Sequence, residues 1–134
     1  MISLSPSGAL SPYYYKGGYF HGIHYGSYFE DTKALFDMME KEEEFILKSP
    51  QRRRILIDLY ETRLNREVLE RLLRQIRVLN DRIVKLAIAT DRRSLRKIQK
   101  ALKKEPVIEY GRCYLTTNME DGKTWLVSDG YEQM

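Results

Sequence analysis

An α/β fold, with a single mixed β-sheet of four to five strands and about four helices, is predicted by three features of this 134-residue sequence. Two short, nearly continuous apolar runs, Arg54-Ile-Leu-Ile-Asp-Leu-Tyr60 and Ile83-Val-Lys-Leu-Ala-Ile-Ala89, suit strands covered on both faces. Each run is followed by a segment whose apolar residues recur at helical spacing with charges between them. Ahead of both lies an aromatic stretch broken by Gly17-Gly18, the pattern of a hairpin. Strand-helix alternation after a hairpin implies right-handed crossovers between parallel strands, with helices packed on the sheet.

Taken in order, residues 1–12 carry Ser3, Ser5, Pro6, Ser7, Gly8, Ser11 and Pro12 and are expected to be a loosely held leader; a single domain is expected over 13–134. The hairpin covers Tyr13 to Tyr25, with Gly17-Gly18 supplying the positive φ angles of a tight turn. Ser27 and Glu30 have capping-box spacing, so a helix is predicted from about 28 to 48, with Leu35, Met38, Met39, Phe45 and Ile46 inward and Pro50 beyond its end. After the strand at 54–60, Asn65 caps a helix whose stripe is Leu69, Leu72, Leu73, Ile76 and Leu79. Glu67 to Arg71 and Glu70 to Arg74 add favourably oriented i,i+4 pairs. After the strand at 83–89, Thr90 or Asp91 caps a helix with Leu95, Ile98 and Leu102 inside, ended by Pro106. Val107 to Thr116 is predicted as a further strand, and Thr117-Asn-Met-Glu120 as a capping box before a short helix carrying Trp125, Leu126 and Val127.

Composition narrows the function classes. The chain is 31% charged and 43% hydrophobic with 8 Gly and 4 Pro, which suits a globular domain and neither a disordered nor a fibrous chain. One cysteine, Cys113, excludes an internal disulfide and a Cys-rich zinc site. There is no 18-residue apolar run, and the first ten residues lack a basic n-region, so neither a membrane span nor a signal peptide is expected and the cytoplasm is the expected location. The net charge of +4 conceals an uneven distribution. Residues 30–48 hold seven acids against three lysines, whereas residues 52–104 hold 17 bases against six acids.

No catalytic signature survives inspection. Gly122-Lys123-Thr124 has the tail of a phosphate-binding loop, but Thr117 stands where the first glycine is required. His21 and His24 fall on opposite faces of a strand, so they cannot share a metal without a bend, and strand packing with one or both imidazoles at the surface is expected. No cofactor is implied. A nucleophile at Cys113 or a serine would need a tertiary contact with one of these histidines that the sequence does not reveal. Asp58 stands at the carboxyl end of a central strand, where open α/β sheets bind ligands; its plainer role is a structural acid held by loop amides or an arginine. The basic face from Arg92 to Lys104 carries no interleaved aromatic for base stacking, so nucleic acid is disfavoured and a solvated face expected, with a partner or weak anionic-membrane contact as alternatives. The cluster of Tyr13, Tyr14, Tyr15, Tyr19, Phe20, Tyr25 and Tyr28 offers a surface for homodimerisation.

The succession Arg54-Ile-Leu-Ile-Asp58-Leu59, a short loop and helix, then Val84-Lys-Leu-Ala-Ile-Ala89-Thr-Asp91 and Thr124-Trp125-Leu126 resembles the STAS superfamily, most nearly its SpoIIAA-like branch. The resemblance runs from about Tyr19 to Val127 in the order and spacing of elements. It implies a mixed sheet with helices on it and a role in protein-protein regulation or small-ligand sensing. Anti-sigma antagonists of the superfamily carry a phosphorylatable serine at the start of the helix after the central strand. Here that stretch is Leu64-Asn65-Arg66-Glu67, without a serine, and Thr62 is a distant substitute. The expectation is therefore a non-enzymatic interaction module lacking the phospho-switch. Its contact or ligand residues would come from Asp58, Tyr60, Thr62, Asn65 and Arg66, and from Thr90, Asp91, Arg92 and Arg93. The alternatives are a small-ligand or lipid site between the sheet and the Met38-Met39 helix, and polyanion binding by the basic face.

Overall fold

The structure, a computed structural model, describes residues 3–128. Within the expected leader, Ser3–Leu4 (β1) and Leu10–Ser11 (β2) form strands that pair antiparallel. The reason lies in the hairpin that follows. Strand β3 (Tyr13–Tyr15) pairs with β4 (Gly18–His24) over Gly18 to Phe20 alone, through a turn in which Lys16 and Gly17 take φ of +46° and +83°. The outer edge of β4 beyond Phe20 would otherwise hold unpaired backbone groups. The leader serines fill it: Ser5 Oγ donates to Gly22 O at 3.1 Å, and His24 N donates to Ser7 Oγ at 2.9 Å. The approach is close enough that a Cβ on Gly22 would lie 2.9 Å from that of Ala9.

Helix α1 (Thr32–Leu47) is capped by Asp31, whose side chain accepts from Ala34 N, and not by the predicted Ser27-Glu30 box. Ser27 is engaged elsewhere, with φ +63° and its hydroxyl donating to Glu61. Strand β5 (Arg53–Asp58) leads to α2 (Arg66–Leu79), capped as predicted by Asn65 accepting from Val68 N. Strand β6 (Ile83–Ala89) leads to α3 (Arg92–Lys104), where Asp91 is the cap, accepting from Ser94 N. The predicted strand over 107–116 shortens to β7 (Cys113–Thr116). A 3-10 turn at Tyr110–Arg112 precedes it, drawn in by Arg112, which donates to Asn80 O and Ile83 O. The last helix, α4 (Met119–Val127), is capped by Asn118 accepting from Asp121 N rather than by Thr117. Glu120 bonds Tyr15 and Lys123 instead of reaching back.

The main sheet runs β3-β4-β5-β6-β7, antiparallel in its first pair and parallel in the other three. This is the predicted single mixed sheet with four helices. Because the parallel strands lie in sequence order, crossovers of one hand bring the intervening helices to the same face. The core on that face joins Leu35, Met39 and Ile46 of α1, Leu72 and Ile76 of α2 and Ile98 of α3 to Ile23, Ile55, Ile57, Leu86 and Ile88 of the strands. Alternate residues Phe20, Leu56 and Ala87 face the other way and are covered by Leu126 of α4. Gly122 lets α4 sit close, since a Cβ there would meet Leu56 at 3.4 Å and Ala87 at 3.6 Å, so the glycine of the Gly-Lys-Thr string serves packing. Met39 is likewise core, with Met38 packed against the same cluster. Among the described residues no helix is long and apolar enough to cross a membrane.

Gly22→Ala is expected to lower stability by about 1–3 kcal/mol by forcing the leader off β4. Urea denaturation measures it, and most of the loss returns in the Ala9→Gly background.

Candidate functional site

The four parallel strands end together, and Asp58 closes β5 in register with His24 of β4. Even-numbered residues of both strands face α4, which brings the two side chains to one side of the sheet. His24 Nδ1 lies 2.8 Å from Asp58 Oδ2, with the imidazole 52% exposed and the carboxylate 13%. Asp58 thus pairs with a histidine rather than with the loop amides or the arginine of its plainer reading. The neighbouring Gly26 is required by crowding: a Cβ there would stand 2.4 Å from Asp58 Oδ1 and 2.9 Å from Tyr60 O. Beneath the pair is a cavity of about 160 Å³, apolar through Leu10, Tyr13, Phe20, Leu56 and Met119, with Lys123 as a further polar group.

Beyond the strand ends the loops continue the ladder. Tyr25 N donates to Asp58 O, Ser27 N to Tyr60 O, Phe29 N to Glu61 O and Arg63 N to Phe29 O. Tyr60 donates its hydroxyl to Thr117 O at 2.9 Å; burial, with Asp58 and Asp91 adding, pushes its phenol up. Thr62 is buried, its hydroxyl donating to Tyr25 O at 2.5 Å while accepting from Tyr28 N. That hydroxyl is a strut between loops and is not presented for phosphorylation. Asn65 and Asp91 are spent on helix caps. Thr90 is fully buried; its amide donates to Thr116 O and its hydroxyl has no partner. Arg66, Arg92 and Arg93 are exposed, Arg66 in an i,i+4 pair with Glu70. Lys97 of α3 donates to Leu64 O, tying the two predicted contact loops into one edge.

Two features escape a reading of the sequence. The first is Phe29, 60% exposed on a backbone of φ +53°, flanked by Ser27 at +63° and facing Glu61 at +61°. Non-glycine residues in this region cost free energy and persist where the surroundings enforce them. Here the interleaved amides and the Arg63–Glu30 ion pair do so. The second is a buried polar chain on the opposite face. His21 and Glu42, 1% and 0% exposed, meet at 3.0 Å between Nε2 and Oε1. Ser7 donates its amide and hydroxyl to Glu42 Oε2, and His21 Nδ1 lies 2.6 Å from Ser11 Oγ. His21 is therefore an interior residue and His24 the one imidazole at the surface, the two histidines taking opposite faces as expected. A signal existed: Glu42 falls on the stripe of Leu35, Met39 and Ile46.

Cys113 is half-buried, and desolvation pushes its thiol up to about 12, which withholds the thiolate a nucleophile needs. Among the described residues no group of three His, Cys, Asp or Glu side chains could hold a metal ion. No protein-family model, curated protein or solved structure matches this chain.

Two measurements follow from this geometry. The Ser94 amide, aided by the Ser94 hydroxyl, holds the Asp91 carboxyl below its ordinary value of 3.8, so the cap contributes stability above that pH and loses it as pH falls through the folded value. Asp91→Ala should cost about 1 kcal/mol at neutral pH, and the difference from wild type should shrink in acid below the unfolded value. Glu42→Ala should cost about 3–5 kcal/mol in urea denaturation by stranding His21 and Ser7, while Glu42→Gln, which keeps an acceptor oxygen, costs less.

Proposed function

We propose that this chain is a non-enzymatic protein-interaction module of the STAS, SpoIIAA-like type, meeting a partner protein with the loops beyond the parallel strands. The observation that carries the proposal is Phe29, an exposed aromatic held on strained backbone between two loops that pin each other. Aromatic and arginine side chains dominate the energetics of protein interfaces, and Arg63, Arg66, Arg92 and Arg93 are exposed on the same edge loops and helix starts. With no serine at the start of α2 and the Thr62 hydroxyl buried, the contact is governed by occupancy and not by phosphorylation there. The tyrosine hairpin is a weaker surface for self-association, because Phe20 and Tyr25 are in the core while Tyr13 and Tyr14 are exposed.

A second reading, small-ligand binding at this end of the sheet, is favoured by the apolar cavity under His24 and Asp58. The remaining α3 bases Arg96, Lys100, Lys103 and Lys104 are exposed and add to neither reading.

Phe29→Gly separates fold from function. Glycine tolerates the positive φ, so stability should hold or rise by about 1 kcal/mol. Partner binding, identified by photo-crosslinking from position 63 in cells and reconstituted with the purified partner, should weaken by roughly tenfold or more. A partner bound equally well by the Phe29→Gly variant, or no crosslinked protein at all, would remove the proposal.

A further inference from the structure

At the far end of the sheet from these loops, where β5 begins, a cleft of about 310 Å³ opens between the hairpin, the end of α1 and Arg53. Its walls are Tyr14, Tyr19 and Phe45, with Ser11, Gln51 and Arg53 as the polar members. Arg53 is the anomaly. Its guanidinium stands 5.5 Å from the centre of the Phe45 ring and NH1 donates to Ser11 Oγ at 3.2 Å, yet its Nε is buried without a hydrogen-bond partner. No carboxylate of the described residues lies within ion-pair distance of it. Glu42 is the acid whose charge acts on Arg53, and both its oxygens are taken by His21 and Ser7. Burial correspondingly lowers the basicity of Arg53. A partly desolvated cation without a counter-charge is costly unless something supplies one.

The cation is also held in place. Glu42 accepts from Ser7 at Oε2 and meets His21 Nε2 at Oε1, His21 Nδ1 meets the Ser11 hydroxyl, and Ser11 Oγ in turn accepts from Arg53. The series ends at a guanidinium that lines the cleft. Arginine presents its donors as a planar fork that matches a carboxylate. The rings of Tyr14, Tyr19 and Phe45 can stack a small aryl body while Ser11, Gln51 and Arg53 keep much of the lining polar, and a volume near the lower end of ligand pockets limits the guest to about one ring.

We propose that this cleft binds a small carboxylate with an apolar or aromatic body, with Arg53 holding the carboxylate and Tyr14, Tyr19 and Phe45 enclosing the rest. The site is separate from the Phe29 edge and does not depend on it. The test is an amide-resolved NMR titration of the full chain with 3-phenylpropanoate, its neutral primary amide, and inorganic phosphate. The acid should give saturable shifts at Ser11, Tyr14, Gln51 and Arg53, and the amide should bind roughly ten- to a hundredfold more weakly, as expected when a charged hydrogen-bond pair is lost. Arg53→Gln should show the same loss for the acid, and Phe29→Gly should bind it as wild type does. Equal binding of acid and amide by the wild-type chain would overturn the assignment without recourse to a variant. So would shifts confined to other residues, absence of saturation at millimolar acid, or phosphate binding to these residues at least as tightly as the acid.

Discussion

The outer edge of β4 organises this molecule. Its short partner β3 leaves the second half of β4 facing neither strand nor solvent, and buried amides and carbonyls must be paired. Ser5 and Ser7 of the leader meet that demand, and Ser7 is in turn held by Glu42, itself locked to His21 on β4. A closed circuit of polar contacts thus joins leader, strand and first helix. Truncating Glu42 or His21 would strand a buried polar partner, because both lie inside the protein. The leader is consequently part of the domain, and the absence of a Cβ at Gly22 is what lets it approach.

The two faces of the sheet have diverged around one strand. His21 looks toward α1 and is absorbed into the interior with Glu42, while His24 looks toward α4 and stands half open with Asp58. Alternation along β4 separates the two imidazoles, and each acquires its own carboxylate. The sheet ends are also unlike. At the carboxyl ends, interleaved loop amides hold Ser27, Phe29 and Glu61 in left-handed backbone and push an aromatic ring outward. At the start of β5, the polar circuit holds a guanidinium at the wall of a cleft lined by aromatic rings. A surface for a protein and a niche for a small anion can thus coexist on one domain without sharing residues.

The helices capped by Asn65 and Asp91 and the strands at 53–58 and 83–89 were legible in the sequence because their signals are local: a side-chain oxygen reaching an amide three residues on, or an apolar run too short for a helix. The capping boxes at Ser27 and Thr117 misled because the same residue types serve loops equally well. Ser27 was claimed by Glu61, thirty-four residues away, and Glu120 by Tyr15 and Lys123. Of the candidate site residues, Asp58 and Tyr60 lie at the carboxyl edge as expected. Thr62 and Thr90 lie inside, since a threonine in a loop gives no sign of whether its hydroxyl faces water or a carbonyl.

Periodicity and capping chemistry thus determined the element order, the parallel sheet and the two-sided burial of β5 and β6, all of which depend on neighbours a few residues apart. Tertiary structure alone decided that residues 3–11 are tied to β4, that Glu42 is an interior acid, that Phe29 is held outward and that no carboxylate of the described residues pairs with Arg53. Each of those depends on groups brought together from distant parts of the chain. Their burial, and hence whether a charge or ring is satisfied or left over, exists only once the strands and helices have packed.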